Sequence, residues 1–453
     1  MIWILIYLLT VFVSSLLIYK KKDGFLFYFI IALAFIAPYS SITGLSLYSV
    51  FVRIIIPGFV FTYTLWKFND LKLFIRYSFK EYLKYTILVF GLYIVIILFD
   101  VLFLHIKVTK IPVNYFVKYY ELFWSISFFL ILFARLNGER RTVVFNQIHF
   151  IILLVGSLVG FLTYLKVPLV YTFHEKMYNF TFIIYDEKRE LFDFVRWYNR
   201  PNSIFSAANQ FGLFASLSLI ISKYMYDEKI IGNKKMVINV ILQVLILVSS
   251  QSRTGFIFYF LIIGLLYLRG TNYKRKLILI PILLPFFIIV YFVLPERIMN
   301  LFSGKEGLIE ALGYQRIYFW FKFFNSLTWE SIFNGMPRLI ERDDFTFFES
   351  GYFNIYFEGG LGLLLLHFIH IRKIGNFKIK NLKIKNFAVP YSTVFILSEI
   401  LQGTFITKRY ALLNGMVIAY LIIKKFETDS VDSANKVETQ SDDMTNTLSK
   451  RRR

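Results

Sequence analysis

The chain has no cysteine in 453 residues. Disulfides, thiolate metal sites and cysteine nucleophiles are therefore excluded. Histidine is almost as scarce, with five scattered residues. His367 and His370 share a helical spacing, but they lie near the inner end of an apolar run, where packing is the ordinary use of such a pair. No metal or cofactor is expected. Acidic residues are also few, 29 Asp and Glu against 51 Lys and Arg, so the formal net charge is +22. In a soluble protein that excess points to nucleic acid. Here most basic residues flank apolar runs, so the positive-inside rule accounts for them and no nucleic-acid partner is expected.

What is abundant is apolar. The composition is 57% hydrophobic, with 53 Phe and 31 Tyr. Uninterrupted runs of roughly 20 residues, the length that spans hydrocarbon, recur from end to end. The short alternating segments of a β-barrel are absent. The fold class is an all-α polytopic integral membrane protein in a lipid bilayer. Its first run, 2–19, has no basic n-region and no small-residue cleavage site, and reads as a retained helix.

Basic clusters follow every second crossing. They are Lys20–Lys22; Lys67, Lys72, Arg76, Lys80 and Lys84; Arg135, Arg140 and Arg141; Lys223, Lys229, Lys234 and Lys235; Arg269 and Lys274–Lys276; and Arg372 to Lys385. One side, the cytoplasm, holds them all. The predicted helices are 2–19, 24–41, 44–65, 85–105, 116–134, 143–165, 204–222, 236–250, 254–268, 277–294, 352–371, 387–404 and 409–423. That is about 12–13 spans in a membrane domain of residues 1–424, followed by a polar, disordered cytoplasmic tail, 425–453. Two outer loops, about 167–203 and 296–351, exceed what a bundle needs for its connections.

Arg253 stands between two of these runs, in Ser249-Ser250-Gln251-Ser252-Arg253-Thr254-Gly255. It is either a cap snorkelling to the headgroups or a functional charge. Three further stretches lie at outer helix ends. Arg200 to Gly212 enters the seventh helix and contains Asn209. Gly313 to Trp320 contains Gln315 and Arg316 and leads to Phe333-Asn334-Gly335-Met336-Pro337. Phe348 to Gly362 contains Glu349, Asn354 and Glu358. Outer arginines, Arg338 among them, run against the positive-inside bias, and their planar donor forks match phosphate geometry. Salt-bridged loop surface is the alternative for most of them. Arg53, inside the third helix, pairs with an acid such as Asp100 or Glu399, or takes part in lipid-diphosphate binding. Glu358 and Glu399 sit at the edges of apolar segments and are assigned no role.

An Arg then Asn at the seventh helix, a Ser-Arg at a tight outer turn, an Arg before an aromatic outer helix, and a Tyr/Asn-rich helix start ending in Gly-Leu-Gly occur in this order. Over residues 195–370 the pattern resembles the O-antigen ligase and Wzy-type polymerase superfamily. The resemblance implies a GT-C-like membrane glycosyltransferase. It would act on undecaprenyl-diphosphate-linked oligosaccharide at the outer face of the bacterial cytoplasmic membrane, beside a flippase and a chain-length regulator of the same pathway. It implies Arg253, Arg316 and Arg200 as a metal-free clamp on the departing diphosphate. Asn209, Gln315, Arg338 and Asn354 would bind the substrate. Ligases resemble one another in a His, then Asn, Ser or Gln, then nine residues and a Gly. Here Glu349 replaces that His, with Ser350 and Gly360 in the other places. Glu349 is either a general base toward an acceptor hydroxyl or an ion-pair partner of Arg316 or Arg338. The replacement favours a repeat-unit polymerase over a ligase. Transport of the same lipid is the reading from another class.

Overall fold

A computed structural model describes residues 2–37, 41–42, 45–103, 105, 114–178, 203–205, 207–268, 323–335, 350–377, 381–401, 405–406 and 408–450. Helices are the dominant element. In hydrocarbon every backbone N–H and C=O must be satisfied within the protein, and a helix does so inside one segment. In chain order the helices are α1 (Ile2–Tyr19), α2 (Asp23–Ile36), α3 (Leu47–Trp66), α4 (Phe68–Leu102), α5 (Asn114–Ala134), α6 (Gly138–Tyr164), α7 (Pro168–Tyr178), α8 (Ala208–Asp227), α9 (Asn233–Ser250), α10 (Arg253–Leu268), α11 (Trp329–Asn334), α12 (Gly351–Gly375), α13 (Leu382–Leu401) and α14 (Lys408–Lys450). A two-residue antiparallel pairing, Ser41–Ile42 with Leu45–Ser46, is the extended structure among the described residues.

Six of these helices, α3, α4, α5, α6, α9 and α12, are long and apolar enough to cross a membrane. The protein is a multi-pass membrane protein. Helices α8 and α14 form its centre, with every residue from Phe211 to Ser222 and from Arg409 to Ile423 buried. Helix α14 packs on α5; α8 packs on α9, α10 and α13; α12 packs on α13 and α4. The outer helices turn large apolar side chains outward, Leu5, Leu8, Leu9 and Phe12 on α1 and Leu88, Val95 and Leu98 on α4. In water so much exposed apolar surface would drive association; in a bilayer it meets lipid.

The basic clusters among the described residues meet at one end of the bundle, where ion pairs tie distant helices together; Arg269 and Lys274–Lys276 lie outside the described residues. Arg135 after α5 pairs with Asp23 of α2 at 2.9 Å. Glu81 of α4 receives Lys425 of α14 and, at 4.0 Å, Lys373 of α12. Arg141 of α6 pairs with Glu427 of α14. Lys383 of α13 lies 3.6 Å from Glu228.

Two expectations change at this end. The basic stretch after the third helix is not a loop, because α4 starts at Phe68 and reaches 35 residues with a π-helical turn at Phe79–Leu83. At 1.5 Å per residue this is about 50 Å, well beyond the ~30 Å of hydrocarbon. Its first part is amphipathic and buries Leu71 and Ser78. The chain past residue 424, expected as a disordered tail, instead continues α14 as helix to Lys450. As far as Asp429 the physical reason is partnership. Phe426 packs against Phe74 and Tyr77, Glu427 pairs with Arg141, and Tyr77 donates to Asp429. The predicted helix 277–294 lies outside the described residues.

Helices α5 and α14 approach at Gly415, where an added Cβ would lie 2.5 Å from Ser125 Cβ and 2.8 Å from its carbonyl carbon. Gly415→Ala should therefore lower thermal stability in detergent by about 1–3 kcal/mol, the usual cost of overpacking. Gly91→Ala, with nothing within 4 Å, should leave it unchanged or raised. Equal melting of the two variants would contradict the close approach.

Candidate functional site

At the opposite end, Ser249 to Gly255 forms the corner between α9 and α10. Gln251 takes a left-handed conformation, φ 47, ending α9. Ser252 caps α10: its Oγ accepts from Gly255 N–H at 3.0 Å and donates to Asn209 Oδ1 at 3.3 Å. Arg253 is the first residue of the new helix. The corner is possible because α8 and α10 touch backbone to backbone. A Cβ on Gly255 would lie 2.7 Å from Gly212 Cα, and one on Gly212 would lie 2.5 Å from Ser252 Cβ. Ser216 Oγ closes the contact by donating to Gly255 O at 3.3 Å. The structure thus brings together Asn209 and the Arg253 stretch, two of the regions singled out in the sequence.

The same end holds the start of α12. Ser350 Oγ donates to Glu399 O at 3.2 Å and Tyr352 OH to Ile396 O at 3.0 Å, fastening this start to α13. Tyr410 OH of α14 donates to Gln210 O at 2.6 Å, next to Asn209. Asn354, half-buried, lies in the first turn of α12. Arg200, Gln315, Arg316, Arg338 and Glu349 lie outside the described residues.

Helix α12 is broken at Gly359 (φ −155, ψ 20) and Gly360 (φ 65, ψ −163). The Gly360 conformation is one that L side chains rarely adopt. The segment Thr328–Gly335, which contains α11, presses into the break. A Cβ on Gly360 would lie 2.5 Å from Ile332 O, and one on Gly335 (φ 78) 2.4 Å from Phe357 O. Glu358 and His367 are nine residues apart, about 13 Å along a straight helix. They lie on either side of the break, Glu358 against the Tyr115 N–H and His367 against the Tyr119 hydroxyl of α5.

Around the break is a buried polar cluster. Glu358 Oε2 accepts from Tyr115 N–H at 2.8 Å and Tyr93 OH at 3.0 Å. It serves as an anionic cap on α5, where the helix dipole favours negative charge. Lys118 Nζ stands 3.9 Å from the Tyr115 ring centroid and feels the charges of Glu358, Glu399 and Glu121. His367 Nδ1 is hydrogen-bonded to Tyr119 OH at 2.7 Å, and its Nε2 is 3.4 Å from Glu399 Oε2. Glu399 Oε1 accepts from Phe405 N–H at 2.6 Å. His370 is bonded to Thr86 Oγ1 at 3.1 Å. Arg53, at the π-helical turn of α3, pairs at 2.6 Å with Glu121 rather than with Asp100 or Glu399. Asp100 instead accepts from Asn334 Nδ2 at 3.0 Å.

Glu358, Glu399, His367 and Lys118 are the members that sequence reasoning left without a role. Their signal was an ionisable group inside or beside an apolar run, which is costly in a membrane and marks function by default. Glu358 Oε2 is held by two donors, one a backbone N–H and one a tyrosine hydroxyl. Tyr119 OH and His367 Nδ1 share a hydrogen bond, and Glu399 Oε2 lies 3.4 Å beyond the other ring nitrogen. No group of three or more His, Asp and Glu among the described residues is placed to hold a metal. Compared with protein-family models, with curated proteins and with solved structures, the chain finds no match in any of the three.

Gly360→Ala should be strongly destabilising. It adds about 1–3 kcal/mol for an L residue forced into a backbone region that is essentially glycine-only to the overlap with Ile332 O. Gly362→Ala meets only the tip of Leu92, at 3.3 Å, and should be tolerated. Protease resistance and melting in detergent distinguish them, and a stable Gly360→Ala protein would rule out the break as described.

Proposed function

We propose that the chain is a repeat-unit polymerase of a bacterial surface polysaccharide, capsule or O-antigen. It would act on undecaprenyl-diphosphate-linked oligosaccharide at the outer face of the cytoplasmic membrane. The observation that carries the reading is the α8–α10 contact through Gly212 and Gly255. It holds Asn209 against the Ser252 cap and starts α10 at Arg253, at the bundle end opposite the basic clusters. An arginine there goes against the positive-inside bias, so an anionic partner on that side accounts for it.

In the proposed reaction an acceptor hydroxyl oxygen bonds to the anomeric carbon of the donor glycan as the bond from that carbon to the phosphate oxygen breaks. The lipid diphosphate departs with the electron pair, and Arg253, Arg316 and Arg200 neutralise its growing charge. Asn209, Gln315, Arg338 and Asn354 hold sugar hydroxyls and phosphate oxygens. The acceptor proton passes to Glu349. Its neighbour Ser350 is fastened to α13 at this end, which supports a carboxylate acting here.

Arg253→Ala, with expression verified, should abolish long-chain polysaccharide. Arg253→Lys keeps the charge without the bidentate fork and should retain a small part of the activity. Normal chain length in Arg253→Ala would refute the mechanism. Deletion separates polymerase from ligase: single repeat units attached to the acceptor indicate the former, unattached polymer the latter.

A second reading, transport of the same lipid, is favoured by the break in α12, since discontinuous helices line many transporter sites. The purified protein, given lipid-linked units in detergent where no sidedness exists, should form polymer. Absence of polymer with translocation intact in vesicles would favour transport.

A further inference from the structure

The basic end contains a cavity of about 370 Å³ bounded by Ile18, Lys21, Asp23, Tyr63, Lys67, Asp70, Leu71, Ala134 and Arg135. It lies at the end opposite the proposed chemistry and belongs to no part of it. The volume is at the small end of ligand sites, which run from roughly 300 to 1,000 Å³. It suits a headgroup and not an oligosaccharide.

Its charges are unequally spent. Arg135 meets both oxygens of Asp23, at 2.9 and 3.2 Å, and its guanidinium is 5.2 Å from the Phe27 ring centroid and 5.8 Å from that of Tyr63. That pair is self-neutralised and forms a fixed wall. Lys67 and Asp70 are 3.8 Å apart and both well exposed, 47% and 71%, a pairing worth little in water. Lys21 makes no ion pair among the described residues. Three cations against two carboxylates leave one positive charge over, and Lys21 and Lys67 are the groups with capacity for an anion.

Residues beside the cavity have the character of a membrane interface. Tyr19 and Trp66, two residues before Lys21 and one before Lys67, pair edge-on with ring centroids 6.4 Å apart. They are exposed, as aromatic residues at the headgroup level are. Leu16 and Leu65, exposed on the same two helices, continue toward the hydrocarbon. Basic pockets between membrane helices on the cytoplasmic side are suited to anionic headgroups.

We propose that this cavity binds a phosphate anion carried by an anionic phospholipid headgroup of the inner leaflet, with Lys21 and Lys67 as its ligands. Lys21 (φ 56) is the left-handed residue that closes α1: its N–H donates to Ile18 O, and the Lys22 N–H to Leu17 O, at 3.0 and 2.8 Å. Lys166 and Lys229 occupy the same kind of position, so the cap alone implies no ligand. What it provides is a clean test, because glycine is the preferred residue there. Lys21→Gly removes the charge and keeps the fold.

The experiment is native mass spectrometry of the full chain in neutral detergent, titrated with dioleoyl phosphatidylglycerol, with phosphatidylcholine, and with inorganic phosphate. Wild type should bind phosphatidylglycerol in preference to phosphatidylcholine. Lys21→Gly and Lys67→Gln should each weaken that binding about fivefold, the equivalent of ~1 kcal/mol per basic residue at an anionic surface. Lys229→Gly, with the same backbone change elsewhere, should not. Displacement of the lipid by millimolar inorganic phosphate, dependent on Lys21, would support the anion site and assign it to a soluble ligand. Undiminished phosphatidylglycerol binding in Lys21→Gly, or equal binding of phosphatidylcholine, would overturn the proposal. Either result leaves the polymerase reading untouched, because that is read from chain length.

Discussion

A helix that breaks inside an apolar bundle frees backbone groups that no water can reach, and the protein must satisfy them itself. The break at Gly359–Gly360 is the constraint on which the polar interior depends. The backbone of Thr328–Gly335 packs into it from the side, close enough that neither Gly335 nor Gly360 has room for a Cβ. The two halves of α12 then address the same two turns of α5. Glu358 caps the start of that helix while His367 reaches Tyr119, so four helices share one buried polar cluster.

Buried charge in this cluster is arranged so that no carboxylate is left alone. Removing an ion from water costs several kcal/mol even after relaxation, and only good geometry with further hydrogen bonds offsets it. Glu358 has a backbone N–H and a tyrosine hydroxyl; Glu399 has a backbone N–H and the His367 ring; Glu121 has Arg53; Asp100 has Asn334. Such a set fixes which helix faces meet, because each buried carboxylate must find its donors.

The two ends differ in character. At the basic end, ion pairs between remote helices act as cross-links, and Lys425, Phe426 and Glu427 of α14 find partners on α4 and α6. At the other end the contacts are glycine-mediated approaches and capped helix starts, which bring Asn209, Ser252 and the start of α10 together. The proposed glycan chemistry and the proposed headgroup site therefore fall on opposite faces of one membrane protein.

The helical membrane class and the grouping of the basic clusters at one end were legible in the sequence, because run length and charge placement answer directly to the bilayer. So was the corner at Ser252-Arg253, since a polar, glycine-containing break between two apolar runs has few other uses. Tertiary structure alone decided the partners. Arg53 meets Glu121 instead of Asp100 or Glu399, and Glu358 caps α5, because pairing depends on which helix faces are adjacent, and one-dimensional spacing carries no record of that. The helical course of Phe68–Ser78 and of the chain past residue 424 was hidden for the same reason. Each is polar enough to read as loop or tail by itself, and becomes an ordered helix where it meets the other.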